Sequence, residues 1–259
     1  MPAPTVKYHQ DGRIAYITLN RPRSLNAVNQ ALERGLAQAL HRFDVDDEAW
    51  VAILHGAGRA FCAGADVKER FYGSTAQERD RQWAAGQSPE GFLGRTINWK
   101  PVIAAVHGHC LAWGLLIAAE CDLVVATEDA SFGLTETLRG FPGGPAWAKV
   151  QTFMPSKVAT EMLLTGRSLP ASELYRLGFI NRLAPPGQHM EAARDLAAQV
   201  LEAPPLAVRA GVRVTRWPWI QSTAQADHYQ AALHLHQTED FQESARAFVE
   251  KRQPKYKGQ

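Results

Sequence analysis

The stretch Arg59-Ala-Phe-Cys-Ala-Gly-Ala-Asp-Val-Lys-Glu69 decides how this chain is read. It follows a strand-like segment, Trp50-Val-Ala-Ile-Leu-His55, and its small residues Ala63, Gly64 and Ala65 let the backbone turn tightly and approach a ligand closely. Taken alone, it is explained as well by an ordinary glycine-containing strand-to-helix turn. Two segments downstream shift that balance: Trp113-Gly114, opening an apolar run, and Glu136. Together they offer two turns able to aim backbone N–H groups at one oxygen, with a carboxylate nearby.

Composition narrows the function classes. At 259 residues the chain suits one α/β domain, and 46% hydrophobic residues suffice for a substantial core. Its 28 basic and 26 acidic residues are interspersed, so the net charge of +2 gives no support for nucleic-acid binding. Only Lys251-Arg252, Lys255 and Lys257 cluster positive charge, either as a solvated terminus or facing the phosphates of an anionic cofactor. Three cysteines without a CxxC pair point to a reduced, cytoplasmic compartment. The start, Met1-Pro-Ala-Pro-Thr-Val, has no apolar signal region, and the run Leu115 to Ala119 is too short to span a bilayer. A soluble intracellular protein is expected. His107-x-His109 and His234-x-His236 lack Cys or carboxylate partners at ligand spacing, so no metal site is expected.

Periodicity places the elements. Ile14 to Leu19 alternates as a strand. Leu32, Leu36, Leu40 and Phe43 repeat at helical spacing, predicting a helix from about Asn29 to Phe43. Val51 to Leu54, Val102 to Val106 and Leu123 to Ala126 read as buried strands. Strands alternating with helices indicate an α/β layout with crossovers. Residues 70–98, polar but holding Trp83 and Phe92 and followed by Trp99, read either as a helical cover over a pocket or as a plain surface helix. From Trp147 the pattern turns helical: Lys157 to Leu164, Ser172 to Leu177, Met190 to Leu201, Leu206 to Val214 and a last run from about Ala224. The expected organisation is one domain, with a core over 1–195 and a helical lid or oligomerisation segment over 196–259.

Five segments in order resemble the crotonase superfamily, the enoyl-CoA hydratase/isomerase group, over nearly the whole chain. They are Ile17-Thr-Leu-Asn-Arg-Pro22 with Leu25-Asn-Ala27; Arg59 to Glu69; Val102 to Gly108 with Ala112-Trp-Gly114 and Cys121-Asp122; Phe132-Gly-Leu-Thr-Glu136; and Phe248-Val-Glu-Lys251. The resemblance implies a spiral of ββα turns with a C-terminal helical arm, assembled as a trimer or dimer of trimers. It implies an acyl-CoA substrate in fatty acid metabolism, and no tightly bound cofactor, coenzyme A entering as part of the thioester.

The resemblance also implies the site. Ala65 and Trp113 would supply the two N–H donors of an oxyanion hole. Gly114 opens what reads as a buried helix, whose first N–H groups and dipole favour an anion. Where the family usually has a run of glycines, this chain has Ala112-Trp113, and the indole would narrow or line the acyl pocket. Glu136 would be the base. Read without the family, it is a helix-start glutamate preceded by Thr135 and followed by Arg139. Arg23 and Leu25, then Ala63, Gly64, Asp66 and Lys68, would lie along the CoA and acyl path, and Lys251 would reach CoA from a neighbouring subunit. Asp66 and Asp122 alternatively pair structurally with Arg or backbone groups.

Hydrating members usually carry a second glutamate on the helix after the second loop. That place is Leu116 here, and Glu120, four residues on, does not match the offset. Hydration divides its work between two carboxylates, whereas moving a double bond from C3 to C2 needs one base. Isomerisation is therefore slightly favoured. The alternatives are an enoyl-CoA or hydroxycinnamoyl-CoA hydratase(-lyase) with help from a tyrosine such as Tyr229, and a crotonase-fold binding protein without chemistry. RNA binding, known among a few relatives, is opposed by the lack of a lysine-rich helix.

Overall fold

The computed structural model describes residues 3–258 apart from 71, 73–74, 76, 79–98, 141–142 and 232–234, and for a few helical residues, Tyr229 among them, only the backbone. The expected cover over 70–98 therefore falls almost wholly outside the described residues.

A six-stranded sheet forms the centre, in the order β1 (Val6–Asp11), β2 (Ile14–Leu19), β3 (Val51–Gly56), β4 (Val102–Val106), β6 (Leu123–Thr127) and β9 (Arg182–Ala184). β1 and β2 are antiparallel, and every later pairing is parallel. Parallel strands joined by crossovers are covered on both faces, so their apolar runs are continuous. Period-two alternation still sorts them. Ala52, Leu54, Ala104, Val106, Val124 and Ala126 join the larger core, whereas Val51, Ile53, Ile103, Ala105 and Val125 face a smaller one.

Helices close both faces. α1 (Gln30–Val45) buries Leu32, Leu36, Ala39 and Phe43, one stripe at 3.6-residue spacing, and Asn29 caps it by accepting from Leu32 N at 2.9 Å. On the opposite face α7 (His189–Leu201) buries Ala193, Leu196 and Ala197 against the smaller core. The expected division at 195/196 thus falls inside a helix that packs on the sheet.

A second sheet lies beside the first, with β5 (His109–Leu111) parallel to β7 (Ser131–Gly133), and β7 antiparallel to β8 (Ser168–Pro170). α2 (Val67–Arg70) follows β3; between the strands of the second sheet run α3 (Trp113–Glu120), α4 (Gly144–Val150) and α5 (Ser156–Thr165), and α6 (Ala171–Arg176) follows β8. α3 is apolar nearly all round and is buried accordingly. The two helical runs expected at 206–214 and from 224 are instead a single helix, α8 (Pro205–Ala231), with Pro218 in its interior. α9 (Glu239–Glu250) ends the fold, capped by Thr238, which accepts from Phe241 N at 3.2 Å. Among the described residues no helix is long and apolar enough to cross a membrane.

Candidate active site

Three chain segments run side by side and turn together. Cys62 bridges Cys110 in parallel, with Cys62 N donating to His109 O at 3.0 Å and Leu111 N to Cys62 O at 3.0 Å. Leu111 pairs in turn with Gly133, and Ala112 N donates to Gly133 O at 2.8 Å. The residues just beyond this ladder are Gly64-Ala65, Ala112-Trp113 and Leu134-Thr-Glu136. Far apart in sequence, the three expected catalytic residues therefore leave one small ladder at neighbouring points.

The first turn depends on glycine. Gly64 has φ +98°, and a Cβ there would stand 2.9 Å from Ala112 Cβ, 3.2 Å from Leu111 O and 3.8 Å from Trp113 N. That crowding also shows how closely the two loops approach. Val28 bridges Ala65, with Val28 N donating to Gly64 O and Asp66 N to Val28 O, at 2.8 and 3.0 Å. In such a parallel bridge the bonds flank Ala65, so its own N–H is directed away from Val28, to the other side of the strand.

The second turn opens α3. Gly114 cannot carry a side chain, because a Cβ there would meet Cys62 O at 2.3 Å. Ala112 sits at φ 50°, ψ −119°, a strained conformation for an L-residue. Strain of this kind costs on the order of 1–3 kcal/mol and persists only where the surroundings impose it. Here Ala112 N is fixed by Gly133 O, and Ala112 O accepts from Leu116 N at 3.0 Å. Trp113 is the first residue of α3, whose leading N–H groups and dipole favour negative charge at that end. Its indole packs against the larger core rather than standing free, and the Arg70 guanidinium lies 4.5 Å from its ring centre.

Glu136 follows β7 and begins the 3-10 turn Thr137–Arg139. It is buried, and neither carboxyl oxygen has a hydrogen-bond partner among the described residues. Gly143 and Leu163 stand beside it, a Cβ at Gly143 being 3.3 Å from Glu136 Cβ and 2.4 Å from Leu163 Cδ1. Burial raises its pKa to about 7. A carboxyl group poised near neutral pH suits taking and returning a proton.

Glu120 is placed elsewhere. It forms an ion pair with Lys149 of α4, and both side chains are fully buried. Removing one member of such a pair strands the other charge. Glu120→Ala is therefore expected to cost about 3–5 kcal/mol in urea unfolding, with turnover per folded molecule retained. Lost turnover at unchanged stability would return Glu120 to the chemistry. Leu116 is half-buried and packs against the larger core.

The remaining expected residues divide. Asp66 bonds Arg21 at 2.9 Å and caps α2 by accepting from Glu69 N at 3.2 Å, so its carboxylate serves the loop. Asp122 likewise accepts two hydrogen bonds from Arg216, from Nε at 2.8 Å and Nη2 at 2.6 Å. Both are the structural pairings that the residue types allowed. Arg23, in the 3-10 turn Pro22–Ser24, and Lys68 of α2 are exposed, and Leu25 and Ala63 meet through Ala63 N donating to Leu25 O at 3.0 Å. Lys251 is exposed at the end of α9, in the left-handed region. The side chain of Tyr229 lies outside the described residues.

Other chemistries find no footing at these positions. His107 stacks on His189 with ring centres 4.4 Å apart, while His109 Nδ1 meets Ser131 Oγ at 3.0 Å, so this His-x-His pair diverges. Among the described residues no three His, Cys, Asp or Glu side chains form a group able to hold a metal ion. Burial pushes the Cys62 thiol up to about 12, leaving it protonated and a poor nucleophile.

The enoyl-CoA hydratase/isomerase family model matches residues 9–259. A mevalonyl-coenzyme A hydratase of Aspergillus fumigatus is 34% identical, the match covering 94% of this chain and 91% of that protein. A carnitinyl-CoA dehydratase of Salmonella arizonae is 34% identical over 98% of both chains. Among solved structures, a carnitinyl-CoA hydratase from Mycobacterium avium superposes over the full length of both chains with a TM-score of 0.82 at 34% identity. With the fold, the three-segment ladder and these matches in agreement, the chain belongs to the enoyl-CoA hydratase/isomerase family of the crotonase superfamily and has the crotonase fold.

Proposed function

We propose that the protein binds an acyl-CoA thioester with its carbonyl oxygen between the N–H groups of Ala65 and Trp113, and that Glu136 removes the proton at C2. The enolate so formed places negative charge on that oxygen, where preorganised donors in a dry site stabilise it most. Returning the proton at C4 moves a double bond from C3 to C2, so the favoured reaction is isomerisation of 3-enoyl-CoA to 2-enoyl-CoA.

One observation carries the choice: beside the two turns Glu136 has carboxyl oxygens without a partner among the described residues, while Glu120 is committed to Lys149 and Leu116 stands where a second glutamate would. One base suffices for a 1,3-proton transfer. Hydration or dehydration is the second reading, favoured by the names of the relatives, which include hydratases and dehydratases. A protein using the fold only for binding has no need of Glu136 in this state, because burying an unpaired carboxyl group costs stability.

The rest of the proposal follows the resemblance. Arg23, Leu25, Ala63, Gly64 and Lys68 line the path of the CoA moiety, Gly114 and Leu116 border the acyl group, and Lys251 reaches CoA across a subunit boundary. Copies of the chain assemble as a trimer or dimer of trimers in the cytoplasm.

Products formed from a panel of 2-enoyl-, 3-enoyl- and hydroxycinnamoyl-CoA thioesters separate the readings. Conversion of 3-enoyl- to 2-enoyl-CoA without net uptake of water is the expected result. Dominant hydroxyacyl-CoA or aldehyde formation would transfer the assignment to the second reading, and no turnover of any member would favour binding alone.

A further inference from the structure

We propose that Arg70 is a positioning residue for the reaction, holding Trp113 so that its N–H stays aimed at the thioester oxygen. The inference rests on the oxyanion-hole reading above and adds a residue to it. Arg70 ends α2, the short helix that grows directly out of the first oxyanion turn, and Arg70 N donates to Asp66 O at 2.9 Å. Its side chain crosses to the second turn, where the guanidinium covers the Trp113 ring at 4.5 Å. From there Nη1 reaches Glu33 of α1 at 2.7 Å. One side chain thus ties together α1 and the two loops that carry the donors.

Two features make this more than a surface contact. Arg70 is only 7% exposed, and its Nε has no hydrogen-bond partner among the described residues. A buried guanidinium with an unused donor is retained at a cost, and what it covers is the aromatic face of Trp113. A cation over an indole is a favourable arrangement that strengthens when desolvated. The second feature is the strain at Ala112, one residue before Trp113. A glycine there would adopt φ 50° freely. An alanine holds it only while its neighbours on both sides are fixed, and the Trp113 side chain is the fixed point on the helix side. Releasing the indole gives the turn a route to relax, and a donor displaced by about 1 Å can lose on the order of 100-fold in rate.

A double-mutant cycle on Arg70 and Trp113 tests this, with kcat and KM measured on whichever enoyl-CoA the wild type turns over. Arg70→Met keeps most of the packing volume and removes the cation. It is expected to lower kcat by roughly 10- to 100-fold with KM changed by less than about threefold, and Arg70→Lys to recover most of the loss. In a Trp113→Ala background, where no indole remains to be held, Arg70→Met is expected to lower kcat by less than about threefold. Wild-type kcat in Arg70→Met, or an equal loss in both backgrounds, would overturn the positioning role. If Arg70→Met fails to fold, Glu33→Gln loosens the same side chain from the far end, and its loss of kcat must likewise vanish in Trp113→Ala. Failure of the underlying reading is distinguishable. If Trp113→Pro turns over like the wild type, the N–H itself is not used; if Trp113→Pro falls while Arg70→Met does not, the brace alone is refuted.

Discussion

Replacing Glu136 with glutamine is expected to lower turnover by about 10²- to 10⁴-fold, the usual worth of a general base, with acyl-CoA binding little changed. The amide is nearly isosteric but can neither take nor return a proton. The carboxyl group it replaces is buried, without hydrogen-bond partners among the described residues, and raised to about 7 by that burial. Since the base must be ionised, kcat/KM of the wild type is expected to climb as pH rises through about 7. In Glu136→Gln that limb disappears. A flat profile in the wild type across pH 6 to 8 would remove Glu136 from the chemistry.

The same group makes a statement about stability with a definite sign. Its folded value lies above the ordinary 4.5, so between 4.5 and about 7 the folded chain holds a proton that the unfolded chain has released. Its contribution to stability is therefore fully present below 4.5 and is lost as pH rises through that window. The gap corresponds to about 3 kcal/mol, an order-of-magnitude figure. Glu136→Gln should accordingly be the more stable protein at pH 8, with the advantage fading towards pH 4.5. A catalytic loss accompanied by a stability gain is the pattern of a group held for chemistry.

Replacing Trp113 with proline is the second large expected effect. Proline is well tolerated at the first position of a helix, where Trp113 stands, so the substitution removes the N–H with little harm to α3. Ala112, at φ 50°, ψ −119°, is already outside the α region that a following proline disfavours. Trp113→Ala serves as the control, since it removes the indole and keeps the N–H. Loss of one oxyanion-hole donor costs about 10²- to 10³-fold in kcat. Trp113→Pro should therefore fall below the wild type by at least that factor, and below Trp113→Ala, which keeps the N–H, with circular dichroism unchanged. Wild-type kcat in Trp113→Pro would mean that the thioester oxygen is polarised elsewhere.

Much of the fold was legible because its elements obey local rules. β2 was expected at Ile14 to Leu19 and is found there. α1 was recognisable from Leu32, Leu36, Leu40 and Phe43, and the buried strands β3, β4 and β6 from their apolar runs. β1 escaped because Val-Lys-Tyr-His-Gln-Asp alternates weakly on an edge strand, although Asp11-Gly12 before β2 is a hairpin signal that would have found it. The strands of the second sheet have three residues each, too few to show any period. α8 was expected as two runs, at 206–214 and from about 224, yet one helix continues through Pro218, a residue that usually ends or kinks a helix.

The site separates along the same line. The glycine turn at Gly64, the apolar start of α3 and the carboxylate after β7 are local patterns, and family resemblance gave them roles. The pairings that decide how those roles are carried out are not local. Glu120 meets Lys149 across 29 positions, and Arg70 comes over Trp113 from another helix. No window of sequence contains both partners. Without the first pairing Glu120 remained a candidate for the missing second carboxylate, and without the second the place of the indole stayed open.

The central claim is that Glu136 and the two backbone donors make an enolate at C2 of a bound thioester. Exchange of the C2 protons of an acyl-CoA with solvent deuterium, followed by proton NMR, measures that step whether or not water is later added. The wild type should exchange them, and Glu136→Gln and Trp113→Pro should each slow exchange by at least about 100-fold. Exchange at the wild-type rate in Glu136→Gln would contradict the account.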